Sequence, residues 1–165
     1  MRTARAAAAA AILLTLAAPV PALTQPPQGR EHPTAALTWL TGRWTGPGQT
    51  MGAANEADLE IRPVLGGHFL ELSYRAGQFE GRAFYGAGSD GGWEAQWFDN
   101  RGITFPIAAR AEPRLFVAAW GSAETERGRT VYRLAEDGRL HVTDSVRRPD
   151  GSYREFAAHI LTRAE

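Results

Sequence analysis

Beyond residue 42 the chain is a succession of short runs in which apolar and polar residues alternate. Trp93, Ala95 and Trp97 alternate with Glu94 and Gln96. Ile103, Phe105, Ile107 and Ala109 alternate with Thr104, Pro106 and Ala108, and Leu140 and Val142 with Arg139, His141 and Thr143. One apolar and one polar face is the pattern of a strand with a single side on a core. It predicts ten strands, over about 43–51, 55–63, 67–76, 79–87, 92–98, 102–110, 114–120, 128–135, 139–147 and 152–163. Between them stand turn signals such as Gly66-Gly67, Ser89-Asp90-Gly91-Gly92, Asp99-Asn100-Arg101-Gly102 and Glu136-Asp137-Gly138. Such residues supply the positive φ of tight hairpins, and connections this short force antiparallel neighbours. Ten strands in simple order leave two exposed edges unless the sheet closes on itself. The expected fold is therefore all-β: a single antiparallel up-and-down barrel of about ten strands, preceded by a short helix.

The helix is read from Thr34, a capping residue, to Thr41, with Gly42 as its stop. It is too short to hold alone, so Leu37 and Leu40 must pack on something, and the bottom of a barrel is the surface on offer. Residues 23–33 are polar and proline-bearing, a leader expected to be disordered. Ahead of them, Arg2 and Arg5 precede an apolar run from Ala6 to Ala18, and Val20-Pro21-Ala22 offers small residues for cleavage. Residues 1–22 thus read as a secretory signal peptide rather than a membrane span. Cleavage after Ala22 would leave 143 of the 165 residues, one domain over 34–165. That domain is expected to be a monomer in the periplasm or the medium, with no membrane insertion.

Composition narrows the partners. The chain has no cysteine, so neither disulfides nor a lipid-bearing cysteine can contribute, and the core must hold the fold by itself. All 18 basic residues are arginine, the mark of a GC-rich coding sequence, and they are scattered. Without Arg2 and Arg5, 16 basic residues face 18 acidic ones, a net charge of −2. No basic stripe exists for a nucleic acid.

One motif points to a family. Leu37-Thr38-Trp39-Leu40-Thr41-Gly42-Arg43-Trp44 joins a turn of helix, a glycine stop and a tryptophan that opens the first strand. Ahead of a β-meander, Gly42-Arg43-Trp44 resembles the start of a lipocalin-like barrel of the calycin superfamily. In lipocalins that tryptophan closes one end of the barrel, and an arginine of the last strand packs across it. The resemblance gives these places to Trp44 and Arg163, with Gly42 as a further structural anchor. The segments Leu65-Gly66-Gly67-His68-Phe69-Leu70, Trp97-Phe98-Asp99-Asn100-Arg101-Gly102 and Gly128-Arg129-Thr130-Val131-Tyr132 look like small uncharacterised bacterial members of this group, in which ten strands replace eight. The resemblance covers residues 35–163. The last strand departs from it: Phe156, Ala158 and Ile160 form the more apolar row, while Arg163 shares the other with Ala157, His159 and Leu161. Either the strand bends near its end, or the tryptophan's partner is another arginine, such as Arg154.

Chemistry is sparse. There is no nucleophile elbow, phosphate loop or dinucleotide fingerprint, and His32, His68, His141 and His159 have no metal-ligand spacing. No metal and no cofactor are expected from the residues themselves. A more distant resemblance to the nitrobindins, ten-stranded barrels that bind haem through a histidine near the C-terminus, implies an alternative in which His159 is the haem ligand. An enzymatic alternative, of hydrolase or isomerase type, takes Asp144 or His141 as base, because Asp144 shares a row with Leu140 and Val142. The aromatic rows carry the leading expectation. His68, Tyr74, Tyr85, Trp97 and Phe105 lie on faces read as inward, and small residues on the same rows (Gly81, Ala83, Ala95, Ala109, Ala119) are read as leaving space. A lumen lined this way suits a small hydrophobic or amphipathic ligand.

Overall fold

The computed structural model describes residues 33–165. The segment expected to be a signal peptide, residues 1–22, and all but the last residue of the expected leader lie outside them. Ten strands follow in chain order: β1 (Gly42–Thr50), β2 (Ala53–Val64), β3 (Phe69–Ala76), β4 (Phe79–Ala87), β5 (Trp93–Asp99), β6 (Thr104–Glu112), β7 (Leu115–Trp120), β8 (Gly128–Leu134), β9 (Leu140–Arg147) and β10 (Tyr153–Arg163). Each pairs antiparallel with the next, and β10 returns to β1, so the sheet is a closed barrel. Every strand expected from the alternation is present, with ends within two residues.

The helix is shorter than expected. A 3-10 turn covers Pro33–Leu37, and the amides of Leu40 and Thr41 both bond back to the Leu37 carbonyl, at 2.9 and 3.2 Å. The chain then reverses at once into β1. Leu37 and Leu40 are fully buried, as their packing requires. The Trp44 indole beneath them donates Nε1–H to the Leu40 carbonyl at 2.9 Å.

The parity of the last strand is resolved by a bulge. Glu155 pairs with Ser145 and Ala157 with Asp144, so Phe156 is an extra residue. Both Phe156 and Ala157 border the barrel interior. From there the buried row is Ala157, His159 and Leu161, while Ile160 is 41% exposed. The apolar row of the sequence is thus the outer one, and Arg163 continues the inner one onto Trp44. No bend is needed, and Arg154 lies at the opposite end of β10, bordering the lumen cavity.

Candidate functional site

The two ends of the barrel differ. The end nearest β1's start is packed solid with Trp44, Leu59, Leu70, Leu72, Leu140 and Leu161 around Leu37 and Leu40. A middle layer of rings follows. Phe116 meets Tyr85 edge-on at 5.4 Å between centroids, Trp93 edge-on at 6.4 Å, and Tyr132 at a tilt at 5.9 Å. Beyond this layer the lumen widens into a cavity of about 380 Å³. It faces the end where β1 turns into β2, β3 into β4, β5 into β6, β7 into β8 and β9 into β10.

Four of the five residues expected in the lumen line this cavity: Tyr74, Tyr85, Trp97 and Phe105. His68 does not. It is exposed in the turn after the 3-10 segment Leu65–Gly67, at the closed end. The reason is local. Strand pairing begins only at Phe69, opposite Val64, so the inward row of Leu70, Leu72 and Tyr74 does not extend back to residue 68. Stacked and tilted rings complete the lining, with Phe79 against Trp97 at 6.1 Å and Phe105 against Trp120 at 5.4 Å.

The small residues act otherwise than expected. Gly81 opens no space, because a Cβ there would overlap the indole of Trp97. Gly128 seats Trp120 in the same way, and Gly48 seats the His159 ring. Ala83 and Ala109 are buried in the wall, and Ala119 is exposed on the outer face. The room in the lumen comes from the ring positions and from Ala76, Ala118 and Ala157, which border the cavity.

One carboxylate reaches into this apolar space. Asp144 follows Leu140 and Val142 on the inner row of β9 and lines the cavity. Thr130, opposite it on β8, donates its hydroxyl to Oδ1 at 2.5 Å. Burial disfavours the charged form and pushes the Asp144 carboxyl up to about 6, with the Thr130 hydrogen bond opposing. Among the described residues no arginine or histidine forms an ion pair with it. The phenols of Tyr74, Tyr85 and Tyr132 are pushed up by burial and by the nearby Asp144 charge, so they stay neutral donors. Formal charges otherwise stand towards the mouth, on Arg101, Glu126 and Arg154. Arg101 is tied to Asp99 at 2.7 Å and lies over Phe79 at 5.2 Å. Thr130 was legible in advance: a hairpin turning at Asp137 sets residue 130 opposite 144.

The two bases considered for catalysis are separated by the wall. His141 pairs with Arg133 and Ile160, one step out of phase with Asp144, and its Nε2 is buried with no hydrogen-bond partner among the described residues. His159, inside the wall, is 1% exposed and does not border the cavity. Its Nε2 bonds Asn55 Oδ1 at 2.8 Å and its Nδ1 meets the Tyr74 hydroxyl at 3.3 Å. Burial lowers its pKa, the charge of Glu56 opposing, which favours the neutral ring. A haem iron needs a free ring nitrogen turned to an open pocket, and this arrangement does not fit one.

A larger concavity, about 470 Å³, runs along the outer wall over Pro106, Ala108 and Ala119, flanked by Glu94, Arg127 and Arg147. It is a solvent-facing trough. The lumen is more enclosed and apolar, with a few convergent polar groups, the usual character of a small-molecule site. No protein-family model matches the chain, and no curated protein matches it.

Proposed function

We propose that this protein is an exported binding barrel that holds a small amphipathic molecule in its lumen, in the manner of the calycin-like barrels it resembles. One observation carries the reading: a cavity of about 380 Å³ in the barrel lumen, open at one end, walled largely by aromatic rings, with Asp144 as the carboxylate away from the mouth. The volume is at the lower end of the range for small-molecule sites. The closed ten-strand meander and the Arg163–Trp44 contact support the family likeness. The run from Arg2 to Ala22 supports export. The test is native mass spectrometry of protein purified from its own host, paired with uptake of the neutral fluorophore N-phenyl-1-naphthylamine. A retained mass, or fluorophore uptake blocked by Ala76→Phe at the cavity wall, is expected. An empty protein that ignores the fluorophore would rule the reading out.

A second reading is favoured by one fact. A carboxyl near 6 beside neutral phenols is the pairing that abstracts a proton next to a carbonyl and stabilises the enolate. It predicts deuterium uptake from D2O into an apolar cyclic ketone, abolished in Asp144→Asn. No exchange above background would dismiss it.

A further inference from the structure

The charge distribution of the lumen is unbalanced in a way that selects a ligand. Asp144 is the charged group deep in the cavity, and its one hydrogen bond among the described residues comes from the uncharged Thr130 hydroxyl. The aromatic rings that line the cavity carry no formal charge, and its phenols are neutral. An anion at the depth of Asp144 meets repulsion from the carboxylate, while the cations of the cavity, Arg101 and Arg154, stand at its mouth. A neutral apolar molecule leaves the carboxylate desolvated and unpaired, which is costly. An ammonium ion does neither. It neutralises Asp144 with a charge-assisted hydrogen bond and gains from nearby aromatic faces.

We propose that the lumen is an amine site, taking a protonated primary or secondary amine with an apolar body, its nitrogen on Asp144 and its body among Trp97, Phe105 and Trp120. The inference rests on the binding reading above and names the chemistry of its ligand. The mouth is compatible with it. Glu126 borders the opening, while the cationic Arg101 is held by Asp99. Arg154 is the other cation bordering the cavity, and it sits near the start of β10, by the rim. The titratable groups facing Asp144 from neighbouring elements are Tyr74, Tyr85 and Tyr132, all neutral over the working range. His159, behind Tyr74, does not border the cavity, and burial lowers its pKa. Asp144 is therefore the group whose ionisation governs binding, and affinity for an amine should fall as pH drops through about 6.

Isothermal titration with a matched set tests this: 4-phenylbutylamine, 4-phenylbutanol and 4-phenylbutyrate, at pH 7.5 and pH 5. The amine should bind about 10- to 100-fold more tightly than the alcohol at pH 7.5, the range of one hydrogen bond to a charged group. The carboxylate should bind most weakly. The preference should shrink at pH 5 and vanish in Asp144→Asn, while Asp144→Glu should keep part of it. N-phenyl-1-naphthylamine, whose nitrogen is uncharged at these pH values, serves as the control for an accessible lumen. If it enters and the amine binds no better than the alcohol, or the preference survives in Asp144→Asn, the amine site is overturned and the binding barrel stands. If none of the three ligands binds, the amine site falls, and if the fluorophore is refused and no mass is retained, the binding barrel falls with it.

Discussion

The guanidinium of Arg163 lies 4.2 Å above the ring of Trp44 and donates to two backbone carbonyls, Thr41 at 2.5 Å and Trp39 at 3.1 Å. One side chain thus joins the last strand, the first strand and the segment that plugs the barrel. Arg163→Ala should lower the free energy of unfolding by about 1–3 kcal/mol, from the stacked cation and the charged hydrogen bonds. Arg163→Lys should recover less than half, because an ammonium cannot stack flat and bridge two carbonyls together. Urea denaturation followed by tryptophan fluorescence measures both. An unchanged midpoint in Arg163→Ala would mean the contact contributes nothing.

Gly42 is bound to the same arrangement. Its φ is 117°, and a Cβ there would collide with the Arg163 guanidinium. Gly42→Ala should therefore destabilise twice over, through backbone strain and through displacement of Arg163. Combining it with Arg163→Ala should cost less than the sum of the two, by about 0.5 kcal/mol or more. Strict additivity in the double-mutant cycle would show that the two residues do not interact.

Asp144 should cost the fold stability at neutral pH. Its folded pKa, about 6, lies above the unfolded value of about 3.8. The folded state therefore holds the proton more tightly, and its contribution is greatest below the unfolded value and declines as pH rises through about 6. Two units correspond to about 3 kcal/mol. Asp144→Asn should raise stability by up to that amount at pH 7.5 and by almost nothing at pH 4. Denaturation midpoints at the two values decide the matter, and an equal effect at both would contradict the assignment.

His159 carries the opposite sign. Burial depresses its pKa, so the unfolded chain takes up a proton that the folded chain refuses. This contribution is present above the ordinary imidazole value and is lost as pH falls below it. His159→Gln should flatten the acid limb of the stability profile. It should also cost about 1–3 kcal/mol at pH 7.5, through the disturbed bonds to Asn55 and Tyr74. An acid limb that keeps its slope in the variant would place the titrating group elsewhere.

Gly81 predicts a spectroscopic result. Gly81→Ala must tip the Trp97 indole away from the wall and into the cavity. Tryptophan emission should shift, and N-phenyl-1-naphthylamine uptake should drop several-fold, with the far-ultraviolet dichroism unchanged. Wild-type uptake in this variant would mean the ring is not held as described.

The strands were legible because period two and the turn residues between the runs are local signals, and closure followed from the cost of two bare edges. Tyr74, Tyr85, Trp97 and Phe105 followed from the same parity. The errors arose where parity is broken by something non-local. Residue 68 precedes the first paired residue, so its row does not begin there. Phe156 sits in a bulge, which reversed the apparent faces of β10 and made the row holding a histidine and an arginine the buried one. Gly81 misled for a different reason: a missing side chain reads as room, and only the partner strand shows that the Trp97 indole has taken it. Thr130 could have been paired with Asp144 from the hairpin alone. The hydrogen bonds that hold His159 could not, because they come from Asn55 on β2 and Tyr74 on β3.

The seam between β1 and β10 sets a limit on when this molecule can fold. β1 leaves the ribosome first of all the strands, and its second partner is completed only at Arg163. Until then the row of β1 that faces β10 has nothing to bond, and Trp44 has no cap. The ring cannot be closed piecemeal during synthesis. Its last step joins the most distant strands of the described chain, the kind of non-local contact that slows folding and leaves strand edges bare until it forms. A nascent barrel of this kind needs either speed after release or a companion that covers β1 while it waits.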